Sequence, residues 1–165
     1  MQWMRLSLLL ASVAASGSLL ASHQHELAQP VPLYSNPALA LSVRHTDSGW
    51  QLLLCHNDAR ELQTQHPLVL SVDGEFMRLS SAGQMVEREG YQCHAFRTRL
   101  ERLQRMAEAR QVLLRAFFVE GRLDTRVTGT EADYLTRPRL LGPLGQIGRF
   151  IDNSSVAENS LVSGG

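Results

Sequence analysis

An Asp-Gly pair between two apolar runs constrains the fold of this chain more than any other feature of the sequence. Apolar residues occupy alternate positions of 68–72, the run leads directly into Asp73-Gly74, and a second apolar run follows over 76–79. Asp-Gly between β-like runs is the strongest short-range signal of a β-hairpin, because both central positions of the favoured turn need a positive φ. The sequence therefore predicts an antiparallel hairpin at this point and a sheet built around it.

Other segments of the chain have the alternating or continuous apolar character of strands. The run over 112–119 is almost entirely apolar, so we expect it to be the most buried strand, whereas 123–127 alternates with charged residues. A turn is expected at 80–83. Five to seven strands are expected in all, and the remaining ones are predicted at 41–45, 50–56 and 85–96, the last interrupted near Gly90. The predicted core consists of Trp50, Leu52, Leu54, Leu70, Val72, Phe76, Leu100, Leu103, Leu114, Phe117 and Val119.

One short helix is predicted directly after the second cysteine. Thr98 and Glu101 have the spacing of a capping box, in which the hydroxyl and the carboxylate satisfy backbone amides at a helix start. Leu100, Leu103 and Ala107 recur at three- and four-residue spacing and define one apolar face. The fold class predicted from these elements is α+β, a mainly antiparallel β-sheet or sandwich with one short amphipathic helix.

The first part of the chain has the composition of an export signal. Arg5 supplies one positive charge ahead of an apolar run at 6–21 that ends in small residues. This run is shorter than the roughly 20 residues that a membrane-spanning helix needs, so we expect 1–22 to be a cleaved signal peptide. The mature protein is then expected in the bacterial periplasm or outside the cell, with no stable membrane span.

Composition divides the rest of the chain into three parts. Residues 23–39 are polar and contain prolines, which remove backbone donors, and we expect them to form an extended leader. Residues 40–134 are expected to fold as a single β-rich domain. Residues 135–165 contain glycines and prolines that interrupt regular elements and are predicted to be a flexible tail, whose apolar residues we expect to dock on the domain.

Cys55 and Cys93 are the two cysteines of the chain, and each is followed by a histidine. In an exported protein such a pair usually forms a disulfide, and we predict this bond. A zinc site with His56 and His94 is the alternative, since two cysteines and two histidines are a common ligand set. Adjacent strand residues point to opposite faces, so the disulfide is favoured, with the cysteines inside and both histidines outside.

A second candidate for metal binding depends on where the signal peptide is cut. Cleavage after Ser22 would place His23-Gln24-His25 at the N-terminus, where the free amine, the amides and the third-position imidazole can bind Cu(II) or Ni(II). This site, with His23 and His25, is an alternative to a protein without metal. We favour the protein without a metal or cofactor.

The charge and the motif content of the chain exclude some classes of function. All sixteen basic residues are arginines and are balanced by sixteen acidic residues, so the chain lacks the positive excess typical of nucleic-acid-binding proteins. No serine lies in the Gly-x-Ser-x-Gly motif of a hydrolase. We predict a protein that is not an enzyme and has no catalytic residues. The candidate partner-binding residues are Arg99, Arg102 and Arg105 on the predicted helix, which can pair with a carboxylate or phosphate, the alternative being a solvated helix face.

The order of motifs along the chain resembles that of a known family. The residues that carry this order are Trp50-Gln51, Cys55, Leu70–Gly74 and Gly90–Cys93, ahead of a short helix and a strand from Gln111. Over 50–130 the chain is similar to the invasion-associated locus B family of exported bacterial proteins. It departs from the family at Gln92, where glycine is usual, and at 129–132, which replaces a glycine-aromatic stretch. The resemblance implies a β-rich sandwich and a non-enzymatic surface or periplasmic role.

Compartment, size and the lack of a catalytic set together favour a binding protein. We expect an exported periplasmic or envelope protein without catalytic activity that engages another envelope or secreted protein. The alternative is a small metal-handling protein or enzyme that uses histidines of the mature N-terminus or of the sheet. The metal content of the purified protein distinguishes the two.

Overall fold

A computed structural model describes residues 25–27 and 29–162, with side chains as far as Ser155. The predicted signal peptide at 1–22 lies outside these residues. Strands make up 46 % and helices 24 % of the structure, so the predicted α+β class with a mainly antiparallel sheet is confirmed. The elements are β1 His25–Glu26, β2 Val31–Pro32, β3 Leu39–Thr46, β4 Gly49–His56, β5 Leu68–Val72, β6 Glu75–Arg88, β7 Tyr91–Arg97, α1 Leu100–Glu108, β8 Val112–Phe118, β9 Gly121–Arg126, α2 Glu131–Thr136, a 3-10 turn Arg139–Leu141, and α3 Pro143–Val162.

The strands join into one antiparallel sheet with the order β1-β3-β4-β7-β6-β5-β8-β9, and β2 also pairs with β3. The predicted hairpin is present between β5 and β6, where Asp73 and Gly74 have φ angles of 48° and 86°, as their turn requires. A carboxylate oxygen of Asp73 also accepts a hydrogen bond of 2.8 Å from the Gln111 backbone N–H, which ties this turn to the start of β8. Local turn chemistry therefore sets the register of this hairpin.

Strand β6 joins the two halves of the sheet. Its first five residues pair with β5, whereas Ser80, Ser81 and residues 85–88 pair with β7. The register shifts between Ser81 and Met85, where Gly83 has a φ of 71° that other residues rarely adopt. The predicted turn at 80–83 is therefore wrong, because the glycine bends one continuous strand at an irregularity of the bulge type.

The strands β3 and β4 are more completely buried than the strands on the β8 side of the sheet. Residues 39–44 of β3 and 51–56 of β4 are all buried, so both faces of these strands are covered. Strand β8 instead alternates, with Leu114 buried and Leu113 exposed. The prediction that β8 is the most buried strand is wrong, because a continuous apolar run does not reveal which of its side chains face the core.

Three predicted core residues lie outside the core. Phe76 and Val119 are exposed and Phe117 is half-buried, whereas their neighbours Met77 and Phe118 are buried. Successive strand residues alternate between faces, so an error of one position exchanges the buried and the exposed side chain. The other predicted core residues are buried or pack against the core.

Helix α1 begins where the sequence predicted a helix, but its cap differs. Arg99 is the N-cap residue and makes no side-chain capping bond, so the predicted box of Thr98 and Glu101 does not form. A capping box instead starts α2, where the Asp133 N–H donates to the Thr130 hydroxyl and the Asp133 carboxylate accepts from the Thr130 N–H.

The two ends of the described chain are more ordered than the predicted leader and tail. Part of the leader forms β1 and β2 at the β3 edge of the sheet, where an edge position tolerates proline in β2. The segment from 135, predicted to be a flexible tail, forms helical elements as far as Val162, and Leu144, Ile147 and Ile151 are buried in the core. Pro143 opens α3, because proline fits the first turn of a helix. No helix in the described part of the chain is long and apolar enough to cross a membrane.

Candidate functional site

One face of the sheet is left uncovered by the described residues on the strands β5, β8 and β9 and on the first part of β6. Directly paired residues of an antiparallel sheet project from the same face, and Ser71 pairs with both Phe76 and Leu113. Residues that pair in this way form rows of side chains, and each row runs across the neighbouring strands. We call this surface the outer face, and it consists of Val69, Ser71, Phe76, Arg78, Leu113, Arg115, Phe117, Arg122, Asp124 and Arg126.

The outer face exposes large apolar side chains. Phe76 is 75 % exposed and Leu113 is 39 % exposed, and they lie in one row on either side of Ser71. With Val69 and polar neighbours they line a surface groove of ≈ 490 Å³. Single exposed apolar residues are ordinary, but an exposed aromatic beside other apolar side chains in a groove is typical of binding surfaces.

The outer face carries an excess of positive charge, with four arginines and one aspartate. Arg115 holds that aspartate, with its Nη2 at 3.0 Å from Asp124 Oδ2. The hydrogen bond from Arg115 lowers the pKa of Asp124 below its usual value, so the carboxylate is ionised at neutral pH. The charge of Asp124 is therefore compensated within the outer face, and the surface around the apolar groove stays cationic.

The arginines predicted to bind a partner lie on α1 or at its N-cap rather than on the outer face. Arg99, Arg102 and Arg105 are exposed. Arg105 forms a two-point ion pair with Glu75, at 2.6 and 3.3 Å, and this hydrogen bonding lowers the pKa of Glu75. Glu75 precedes Phe76 on β6 and so projects from the other face of the sheet. The partner-binding role of the three arginines stays a prediction.

The predicted disulfide between Cys55 and Cys93 is present. The two residues are direct partners on β4 and β7, and both are buried in a small apolar cluster with Leu53 and Ala95. As predicted, the adjacent histidines project from the opposite face of these strands. That face is the one that carries the main core, however, so placing both histidines outside is wrong. His56 is 0 % exposed and His94 is half-buried.

The two histidines form a close pair at one end of the main core. His94 pairs directly with Leu54, and His56 lies two residues further along β4, so both imidazoles leave the same face. Their Nε2 atoms are 3.3 Å apart, and the rings are nearly parallel, with centroids 5.3 Å apart. The edge of Phe118 packs against His56 at 5.6 Å between ring centroids.

A charged pair supports His56 from the side opposite His94. His56 Nδ1 lies 3.3 Å from both a carboxylate oxygen and the backbone oxygen of Asp58. Arg60 in turn donates to that carboxylate, with its Nε at 2.9 Å, and its guanidinium covers the Phe118 ring at 4.1 Å. The hydrogen bond from Arg60 is the largest cause that lowers the pKa of Asp58. His56 is therefore held between an ionised carboxylate and a second imidazole.

His94 opens into a groove of ≈ 450 Å³ between the segment after β4 and the strands β6 and β7. Met85, which pairs directly with His94, and Glu61 also line this groove. Burial is the larger cause, and the neighbouring His56 the smaller one, that lowers the pKa of His94 below its usual value of 6.5. His94 therefore favours its neutral form at pH 7, and its imidazole is accessible from the groove.

The N-terminal metal site falls partly outside the described residues. His23 is outside them, and His25 lies in β1 opposite His45. Within the described part of the chain, no group of three or more histidine, cysteine, aspartate or glutamate side chains is placed to hold a metal ion.

Sequence reasoning missed both the outer face and the proximity of the histidines. The repeated Cys-His dipeptide is a signal for the pair, because two disulfide-bonded strand neighbours bring the next residues near each other as well. The outer face has no comparable signal, since Phe76 and Leu113 are expected core residues by hydrophobicity alone.

Comparison of the chain with models of protein families, with curated proteins and with solved structures finds no match. The resemblance to the invasion-associated locus B family stays a prediction.

Proposed function

We propose that this protein is exported to the bacterial periplasm or envelope and binds another protein through its outer face. The observation that carries the proposal is the exposed Phe76 in a groove whose surroundings are cationic. The proposal assigns the protein no catalysed reaction. The disulfide supports the compartment, because such bonds persist in oxidising environments.

The composition of the outer face favours a protein partner. Aromatic residues and arginines are enriched in protein–protein interfaces, and energetically dominant contacts are often aromatic side chains that become fully covered. Phe76 and Phe117 supply the aromatic part, and the four arginines supply donors for carboxylates.

Charge complementarity indicates the chemistry of the partner segment. Asp124 is already paired with Arg115 and lies 3.7 Å from Arg122 Nε, so Arg78 and Arg126 are the arginines that most favour incoming carboxylates. A segment with acidic residues on both sides of an apolar side chain would place the apolar group beside Phe76 and Leu113. We therefore propose that the occupant of the groove is an acidic segment of another envelope or secreted protein with at least one large apolar residue.

Photocrosslinking in the native host tests where the partner binds. A photoreactive phenylalanine analogue at position 76 should form an adduct with one protein, whose crosslinked peptide is acidic. Leu135, which is 85 % exposed on α2, is the matched control position, and the analogue there should give no such adduct. Equal adducts from both positions, or a crosslinked peptide that is basic, would contradict the proposal.

Binding of the identified partner to purified protein tests the contribution of individual residues. Phe76→Ala should weaken the affinity by about 30-fold, the loss typical of a central aromatic contact. Arg126→Glu should weaken it by about 10-fold or more and reduce its dependence on salt. Loss of binding in Arg99→Glu and Arg102→Glu, with no change in Arg126→Glu, would assign the partner to α1 and would contradict the outer-face proposal.

A further inference from the structure

The distance between the two imidazoles suits a shared metal ion. Imidazole nitrogens bind divalent metals such as Zn²⁺ at about 2.0 Å, so two nitrogens on one ion with similar bonds are about 3.3 to 3.5 Å apart for tetrahedral or trigonal angles. The observed separation of His56 Nε2 and His94 Nε2 is 3.3 Å. A hydrogen bond from one imidazole to the other also fits this distance. The titration described below distinguishes a metal site from such a hydrogen bond.

The surroundings of His56 favour the tautomer that a metal needs. Its Nδ1 lies within hydrogen-bonding distance of the Asp58 carboxylate and backbone oxygen, and both atoms are acceptors. His56 therefore carries its proton on Nδ1 and leaves the Nε2 lone pair directed towards His94. Carboxylates and carbonyls that accept from the second nitrogen in this way accompany most metal-binding histidines.

Met85, on the strand next to His94, is the candidate for a third donor. It is the direct partner of His94 on β6, so its side chain leaves the same face of the sheet, and both residues line the same groove. Met85 is 63 % exposed, so the packing of the core does not fix its flexible side chain. A thioether sulfur can therefore approach the imidazole nitrogens from the groove side.

The donor set selects the metal. Zinc prefers four nitrogen, sulfur or oxygen donors, and the described residues provide no such cluster of histidine, cysteine, aspartate and glutamate at this position. Thioether donors are soft and favour Cu(I), which also accepts imidazole. We propose that His56, His94 and Met85 bind one Cu(I) ion at the end of this groove. The proposed protein-binding function does not require this site, which lies on the inner side of the sheet.

Anaerobic titration of the full disulfide-bonded chain with Cu(I), in competition with a chromophoric Cu(I) chelator, tests the proposal. We expect one ion per chain and X-ray absorption that shows nitrogen and sulfur neighbours. A thiol assay must show no free cysteine, because a reduced Cys55 or Cys93 would itself supply sulfur. A chain that leaves all of the copper with the chelator would overturn the proposal and would identify the histidines as a hydrogen-bonded pair.

Variants assign the ion to its donors. His94→Gln and Met85→Leu should each weaken Cu(I) binding by more than about 10-fold, and Asp58→Asn by about 10-fold through the orientation of His56. His66→Asn is the matched control, because His66 is an exposed histidine whose φ of 49° asparagine tolerates.

Two outcomes of these variants would overturn the proposal. Full binding in His94→Gln would show that the copper lies elsewhere, for example at the N-terminal His25. Weaker Cu(I) binding in His94→Gln together with unchanged binding in Met85→Leu would show that the thioether is not a ligand. Circular dichroism and urea unfolding of each variant ensure that a loss of binding is not a loss of fold, and Met85→Leu conserves volume at an exposed position.

Discussion

The two halves of the sheet differ in how many of their faces are covered. Strands β3 and β4 are buried on the core side and also on the other side, where the disulfide and its small apolar cluster lie. On β5, β8 and the first part of β6, one face packs on the core and the other exposes Phe76 and Leu113. The same antiparallel pairing thus gives one half that stabilises the fold and another half that has a surface available for binding.

Removal of the disulfide should have the largest effect, because it lies in the fully covered half. The bond closes a loop with a sequence separation of 38, so replacing both Cys55 and Cys93 with alanine should lower the free energy of unfolding by about 4 kcal/mol. Urea unfolding measures this change, and a reducing agent added to the unaltered protein should reproduce it. Equal urea midpoints with and without reductant would show that the disulfide does not contribute to stability.

Truncation of apolar residues compares the two halves directly. Leu53 is fully buried on β4, so Leu53→Ala should lower the free energy of unfolding by about 3 kcal/mol. Phe76→Ala on the outer face should change it by about 0.5 kcal/mol or less, although it removes more atoms. A large loss of stability in Phe76→Ala would show that something in the chain covers the outer face.

The pH dependence of stability tests the burial of the histidine pair. The folded-state pKa of His94 is lowered by burial and by His56, so protons bind more readily to the unfolded chain. Stability should therefore decrease as the pH falls below about 6.5, the unfolded value, and continue to decrease until the lowered folded pKa is passed.

The comparison for this pH effect is His94→Gln, since the hydrogen bond from Arg60 lowers the pKa of the nearby Asp58, which therefore keeps its charge over the same range. The variant should lose less stability than the unaltered protein between pH 7 and pH 5 in urea unfolding. Parallel curves for the two proteins would contradict the assignment of this dependence to His94.

Loss of an exposed ion pair should have the smallest effect. Arg105 and Glu75 are both exposed, and such pairs contribute little because water and salt screen them. Arg105→Gln should therefore leave the urea midpoint unchanged within error. A clear decrease in the midpoint would show that the contact between α1 and β6 stabilises the fold more than solvent-exposed charges normally do.

Turn chemistry explains which parts of the fold the sequence predicts. Asp73-Gly74 encodes its turn locally, so the hairpin of β5 and β6 follows from a few adjacent residues. Gly83 and Pro143 are also strong local signals, but each has two structural uses. Glycine accommodates a turn or a bulge, and proline interrupts a helix or begins one, and the choice depends on the strands and helices that pack nearby.

The candidate sites can be predicted from the sequence only in part, because they also depend on packing between elements that are distant in the chain. The disulfide follows from the compartment and the number of cysteines, and the alternation of a strand places the histidines on the other face. Which face carries the core depends on α1, α3 and distant strands, so His56 is buried against expectation. Phe76 and Leu113 are exposed for the same reason, because no described element covers their face.

The central claim is that a partner covers the outer face in the native envelope. Hydroxyl-radical footprinting measures this most directly, as the oxidation rate of Phe76 relative to that of Leu135 in the native envelope and in the purified protein. We predict a relative rate that is several-fold lower in the envelope, because the partner shields Phe76 and leaves α2 exposed. The same relative rate in both preparations would contradict the claim.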